Sequence, residues 1–466
     1  MPEESSALAL ALAHAGLNPR QLAIEINRWL DGRNLSDRRI DVTAPYSWVR
    51  HGYKPYAPIP SVAAAVLSEK LGSPVSVDEL WPAHLTTDPG SLAAVDGLGG
   101  FKTVDDPLAA LDELAALSAG SNTNVASANG VALTAAVHQG LQATLRWTTP
   151  AVSHREQVLQ PQVDVIAGHV TALRKLDDRH GGGALSLRYI TGQLRTVLDL
   201  VRSADYEPSI GRQLLTILAD LAQLVGWVHF DAGRQGAAER YLLLSEWVAR
   251  GLGEHGRAAN AIGMLSYVSA FSGHGPEAVN ISAAAEQTCP KVPVLQARVL
   301  GRKATAYAAA GNLSGFRAAS DAARSLLDRH RPDDAPSYLY YLEPEQLISE
   351  AGQALIVLAE RTPVGRKALL REAIGLLTPI SEVGARPDYP RSALLHGSFL
   401  TKAHLMYGDL DAAVHTARAT LTRLREVQSI RGIAYLRGLR PAFARRKRSE
   451  VVSDFLPELD SALPRA

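Results

Sequence analysis

Several segments of this chain carry residue types that reactive sites use, and each lacks the partner its chemistry needs. His180-Gly181-Gly182-Gly183 imitates the oxyanion loop of lipases, but no Gly-x-Ser-x-Gly elbow supplies a nucleophile, and a glycine break between helices explains it better. Gly97-x-Gly99 runs on to Lys102 where a dinucleotide loop needs a third glycine, and it follows no strand. Gly301-Arg302-Lys303-Ala304 and Gly365-Arg366-Lys367 lack both the preceding phosphate-loop glycine and the Ser or Thr. Histidines are scattered singly with no His-Glu-x-x-His. The sequence therefore predicts no enzyme, no metal site and no cofactor.

What remains is the chemistry of recognition. Between Leu17 and Pro60 the bases are Arg20, Arg28, Arg33, Arg38, Arg39, Arg50 and Lys54, and the acids are Glu25, Asp31, Asp37 and Asp41, so seven minus four leaves a local +3. The whole chain, with 48 Lys and Arg against 47 Asp and Glu, carries only +1. Any affinity for nucleic acid must sit in that patch.

Helices must position these residues. From Ser5 to Trp81 the sequence reads as four or five short ones. Leu8 and Leu12 mark the first; Asn18-Pro19 caps and starts the second, through Leu22, Ile26 and Trp29. Pro45 opens a third that Gly52 ends, with Trp48 and Val49 facing inward and Tyr46, Ser47 and Arg50 outward. Ile59 to Leu71 makes a fourth, and Ser76 to Leu80 starts a brief last one.

Further along, a helix-breaking glycine repeatedly follows one apolar helix and opens the next, at Gly233, Gly273, Gly311 and Gly408. Small residues recur around them: Ala238, Ala278 and Ala413 five after, and Gly226, Ser266, Ala304 and Thr401 seven before, which lets paired helices approach closely. After Gly311 the alanine slips to Ala318 or Ala319, and between Glu345 and Leu377 the turn falls at Arg361 to Gly365. The pattern resembles the tetratricopeptide repeat in a long, degenerate form. The expected fold is all-α: a small helix-turn-helix domain over 1–82, a linker with helices over 83–150, and a helical-hairpin solenoid over 151–466. In that register the first helix of each pair lines the concave face. Gln223, Trp227, Asn260, Tyr267, Arg298, Thr305, Ser398 and Lys402 would point inward, toward a peptide or small molecule.

The single cysteine, Cys289, permits no internal disulfide and suits a reducing cytoplasm. Glu3 and Glu4 precede the apolar start at Ala7, which reads as a helix rather than a signal peptide, and Asp220 and Gln223 interrupt Leu214 to Phe230, which reads as a repeat helix rather than a membrane span.

Gln21-Leu22-Ala23, then Ser47 to Pro55, then Ala63 to Gly72 and Val77 to Leu80 resemble the helix-turn-helix of phage-repressor-like bacterial regulators. A fifteen-residue insertion, Arg28 to Val42, separates the second and third helices. Such an insertion is familiar in large actinobacterial regulators that join this motif to tetratricopeptide-like repeats, and Leu176 to Gly183 and Leu221 to Arg234 extend the resemblance over most of the chain. The resemblance implies a third helix from Thr43 that enters the major groove with Tyr46, Ser47 and Arg50, while Arg38, Arg39, His51 and Lys54 meet phosphates. It implies a cytoplasmic, DNA-binding transcription regulator: a homodimer on double-stranded DNA whose repeats sense a peptide, small molecule or protein partner. The alternative is a repeat scaffold whose head only caps the solenoid.

Overall fold

The computed structural model describes residues 7–81, 101–142 and 157–463, leaving aside 33–34, 36–37, 52, 56–57, 72–74, 76, 102–104, 120–124, 126, 129, 182, 330–334, 383–388, 425–426 and 428. The chain divides into two compact units, 1–87 and 88–466, and every element longer than an isolated bridge among the described residues is helical.

The first unit holds α1 (Ala7–His14), α2 (Pro19–Asp31), α3 (Ala44–His51), α4 (Ile59–Leu71) and the short α5 (Val77–Leu80). The start of α2 is set by a reciprocal cap. The Asn18 side chain accepts from Gln21 N at 2.9 Å while the Gln21 side chain accepts from Asn18 N at 2.8 Å, with Pro19 at the first helical position. The insertion after α2 is pinned by one side chain: Asn27 donates to the Ile40 carbonyl and accepts from its N–H, both at 2.9 Å. Leu8, Leu12, Leu22, Ile26, Leu30, Val62 and Leu67 build the core, and Trp48 enters it edge-on to Trp81 at 6.1 Å.

The second unit opens with α6 (Asp105–Ala119), α7 (Gly130–Gln142), α8 (Gln160–His180) and α9 (Ala184–Ser203). Six hairpins follow: α10 (Pro208–Asp231) with α11 (Gln235–Gly251), α12 (His255–Phe271) with α13 (Gly275–Thr288), and α14 (Pro293–Ala309) with α15 (Leu313–Leu327). Then come α16 (Pro344–Arg361) with α17 (Arg366–Ser381), α18 (Pro390–Tyr407) with α19 (Leu410–Arg423), and α20 (Ile430–Ala444) with α21 (Glu450–Ala462).

The turn glycines have a conformational reason. Gly233, Gly273, Gly311, Gly365 and Gly408 hold φ of 74°, 90°, 78°, 76° and 99°, which side chains with a Cβ rarely adopt. The small residues around them make the close approaches: a Cβ on Gly226 would stand 3.2 Å from the Ala238 carbonyl, and Ser266 Oγ donates to the Ala278 carbonyl at 2.8 Å. Ala319 is the buried alanine of the slipped repeat. Helix α10 has the length and apolarity of a membrane span, and its Leu214, Leu218, Leu221 and Val225 are fully buried among neighbouring helices.

Within the segment expected as a linker with helices, α6 and α7 pack on the repeats. Leu108, Leu111 and Leu114 of α6 and Leu133 and Val137 of α7 are buried, α6 against α9 and α11, α7 against α11 and α13. Glu239 of α11 ties down the stretch between them, accepting from Ser127 Oγ and Ala128 N at 2.7 Å each.

Helices α10, α12, α14, α16 and α18 lie side by side in order, and α8, which packs on α10, also packs on α18. The concave side of the solenoid is thereby closed into a ring.

Candidate functional site

A pocket with about 820 Å³ of open space, including its mouth, lies on that concave side. The first helix of each hairpin supplies its wall, and the contribution slides steadily along the helices. It comes from the C-terminal ends of α8 and α10 (Asp177, Trp227), the middle of α14 (Arg302), and the N-terminal ends of α16, α18 and α20 (Glu350, Arg391, Arg431). Tyr338, Tyr340 and Tyr341, beside the short turn before α16, border the same space.

Its wall is unusually ionic for a site this buried. Arg391, 4% exposed, faces Asp177 at 3.3 Å, Asp178 at 3.5 Å and Asp231 at 3.4 Å, and these carboxylates outweigh its desolvation and hold its proton more firmly than usual. Asp231 also accepts from Ser429 Oγ at 3.0 Å and pairs with Arg431 Nε at 3.4 Å. Burial pushes the Asp177 carboxyl up to about 7 against the pull of Arg391. On the opposite wall burial also opposes ionisation of Glu350, but Arg298 and Arg302 outweigh it and bring that carboxyl down to about 2. Arg302 Nη1 stands 3.3 Å from Glu350, and Arg298 bonds both of its oxygens. The Tyr340 hydroxyl donates to Asp178. The bonds of Asp177, Asp178 and Asp231 with Arg391 and Arg431 join α8, α10, α18 and α20, segments far apart in sequence, and they fasten the ring.

The aromatic wall is shared with the cations. Trp227 lies 5.9 Å from Tyr267, and the guanidinium carbons of Arg302, Arg391 and Arg431 stand 5.8, 5.6 and 5.2 Å from the Trp227 ring centre.

Of the residues expected on the concave face, the structure brings Gln223, Trp227 and Tyr267 together in the pocket wall. Arg298 lies one layer behind, fully engaged with Glu350. Asn260 is buried outside the wall, Thr305 and Ser398 turn their hydroxyls back to the Gly301 and Leu394 carbonyls of their own helices, and Lys402 pairs with Glu360 at 2.8 Å away from the pocket. Sequence reasoning missed Arg302, Arg391, Arg431, Asp177, Asp231 and Glu350. A signal existed for some of them: Asp177 and Asp231 fall inside Leu176 to Gly183 and Leu221 to Arg234, and Arg302 stands one helical turn beyond Arg298.

In the first unit, α3 turns Trp48 inward at 6% exposure and Tyr46 outward at 51%, with Arg50 exposed. Arg38, Arg39, Thr43 and Lys54 are exposed around it, Arg39 pairing with Asp31 at 2.9 Å. Thr43 N and Oγ1 both donate to Asp41, whose carboxyl those bonds hold below its usual range. Ser47 Oγ donates back to the Ala44 carbonyl at 2.8 Å, and the side chain of His51 lies outside the described residues.

Fold and site define the class: an all-α protein with a small helical unit and a tetratricopeptide-like solenoid closed around an ionic pocket. Residues 8–80 match the family model of the SP15 N-terminal domain. No curated protein matches the chain. Among the solved structures that match is the crystal structure of the yeast Tom70, 13% identical, covering 97% of this chain and 99% of that one with a TM-score of 0.26.

Proposed function

We propose that the repeat unit is a receptor, holding a compact ligand in its closed concave pocket and acting as an adaptor rather than an enzyme. The convergence of Trp227, Tyr267, Arg302, Glu350, Arg391 and Arg431 from six different helices carries this reading. A concave, largely buried pocket with a few convergent polar groups is the usual form of a small-molecule site, whereas an extended peptide needs an open groove. Thermal unfolding of the full chain against a panel of organic acids, amines, sugars and short peptides tests it. Some class should raise Tm in the wild type and not in Trp227→Phe or Tyr340→Phe. If no class distinguishes wild type from both variants, the pocket is only a structural junction.

A second reading has its own observation, the outward Tyr46 and Arg50 of α3 beside exposed Arg38, Arg39 and Lys54. On it the first unit reads duplex DNA, the chain works as a paired regulator in the manner of the actinobacterial proteins it resembles, and the receptor supplies the signal. If Arg38, Arg39, Arg50 and Lys54 each neutralise a phosphate or base edge, retention on duplex DNA falls about a hundredfold between 50 and 200 mM salt. Arg50→Ala should abolish sequence-specific protection in footprinting of the protein's own promoter region while leaving the fold intact. An unchanged footprint would remove α3 as the recognition helix.

A further inference from the structure

We propose that the space between Arg302, Arg391 and Arg431 is a site for a compact organic oxyanion, a carboxylate or a phosphate. The proposal rests on the receptor reading and gives its ligand a chemical class. All three guanidiniums border the pocket and are at least nine-tenths buried, with 4%, 4% and 9% exposure. They crowd one indole, that of Trp227, from separate helices.

Their pairing is incomplete. Glu350 is shared by Arg298 and Arg302, and Asp231 by Arg391 and Arg431, so each of these two carboxylates is divided between two guanidiniums. Asp177 and Asp178 approach Arg391 alone. Arg431 therefore has one ion pair, through Nε to Asp231 at 3.4 Å, and its buried Nη1 has no hydrogen-bond partner. Arg302 Nε likewise lacks one. Buried donors without acceptors are costly, and an oxyanion is the ligand that satisfies several at once in the planar, forked geometry of guanidinium. Asp177 Oδ1 also lacks a hydrogen-bond partner, but its carboxylate lies within ion-pair reach of Arg391, and the unsatisfied guanidinium donors of Arg302, Arg391 and Arg431 outnumber it, which favours an anion over a cation.

The test uses the full chain with two probes, inorganic phosphate and citrate, and sodium chloride at matched ionic strength as the reference. Either probe at millimolar concentration should raise Tm above the chloride reference, with phosphate the stronger for a phosphate-bearing ligand and citrate the stronger for a carboxylate. Arg431→Met keeps the apolar stem against Trp227 and Phe230 and removes the charge, and it should weaken the probe at least tenfold. Arg431→Lys, which keeps the charge without the fork, should fall between and covers the case in which the methionine variant fails to fold. No shift by either probe in the wild type, or an equal shift in a folded Arg431 variant, overturns the proposal. A neutral or cationic compound whose effect depends on Trp227 or Tyr340 would overturn it while leaving the receptor reading in place.

Discussion

Glu246 of α11 is fully buried, and both carboxylate oxygens lack a hydrogen-bond partner. The nearest cation, Arg250 Nε, stands 3.9 Å away, beyond hydrogen-bond reach. Gly140 of α7 lies directly over the carboxyl: a Cβ there would come within 2.7 Å of Oε1. Burial pushes the carboxyl from 4.5 up to about 8, with Arg250 opposing only in part. Between those values the folded state keeps a proton that the unfolded state has released, so stability falls as pH rises through that window. Each tenfold difference in proton affinity between the two states is worth about 1.4 kcal/mol, so the loss attributable to this group between pH 5 and pH 9 is about 4 kcal/mol.

Glu246→Gln keeps the shape and removes the titration. Urea unfolding followed by circular dichroism at 222 nm, at pH 5, 7 and 9, gives the stability of both proteins, and every other titrating group cancels in their difference. The difference should move in favour of Glu246→Gln by about 4 kcal/mol from pH 5 to pH 9, whatever its offset at pH 5. A difference that stays constant across that range would mean that Glu246 ionises normally, through water or a partner reaching it past Gly140, and the burial argument would be refuted.

Arg391→Met leaves Asp177, Asp178 and Asp231 facing one another without their shared cation, and should cost about 3–5 kcal/mol at pH 8. Because Asp177 titrates near 7, part of that loss should disappear in urea melts at pH 5, where it is protonated. Gly226→Val inserts a side chain where even a Cβ meets Leu242 at 3.0 Å, and should destabilise by about 1–3 kcal/mol. Gly168→Ala, on the open face of α8 with nothing within 4 Å, should instead stabilise by about 0.5–1 kcal/mol, and thermal melts read both.

What the sequence makes legible here is local. The positive φ of Gly233, Gly273, Gly311 and Gly408 is a property of one residue type at one turn, and the Asn18 cap spans only four residues. The inward Trp48 follows from the faces of a single short helix. Bonds such as Arg391 to Asp231 and Tyr340 to Asp178, by contrast, join residues more than a hundred positions apart. No periodicity along the chain marks them. They arise only because α8 returns against α18, and the buried charges that close the ring have no sequence neighbours that reveal their partners.

The same closure explains why a fixed register finds Trp227 and Tyr267 in the pocket wall and misses its arginines. Trp227 and Tyr267 each stand six residues before their turn glycines, Gly233 and Gly273, and both reach the pocket; Thr305 and Lys402 hold the same place before Gly311 and Gly408 and do not. In those later hairpins the wall is met by Arg302, nine residues before Gly311, and by His396, twelve before Gly408. A stack of hairpins, each rotated slightly on the last, carries a fixed point in space along successive helices, so the residue that reaches the centre moves back by about one helical turn at a time. Any concave-face assignment in a twisted solenoid must let the offset slide with repeat number. Here that slide puts three arginines, rather than Thr305 and Lys402, against the indole of Trp227.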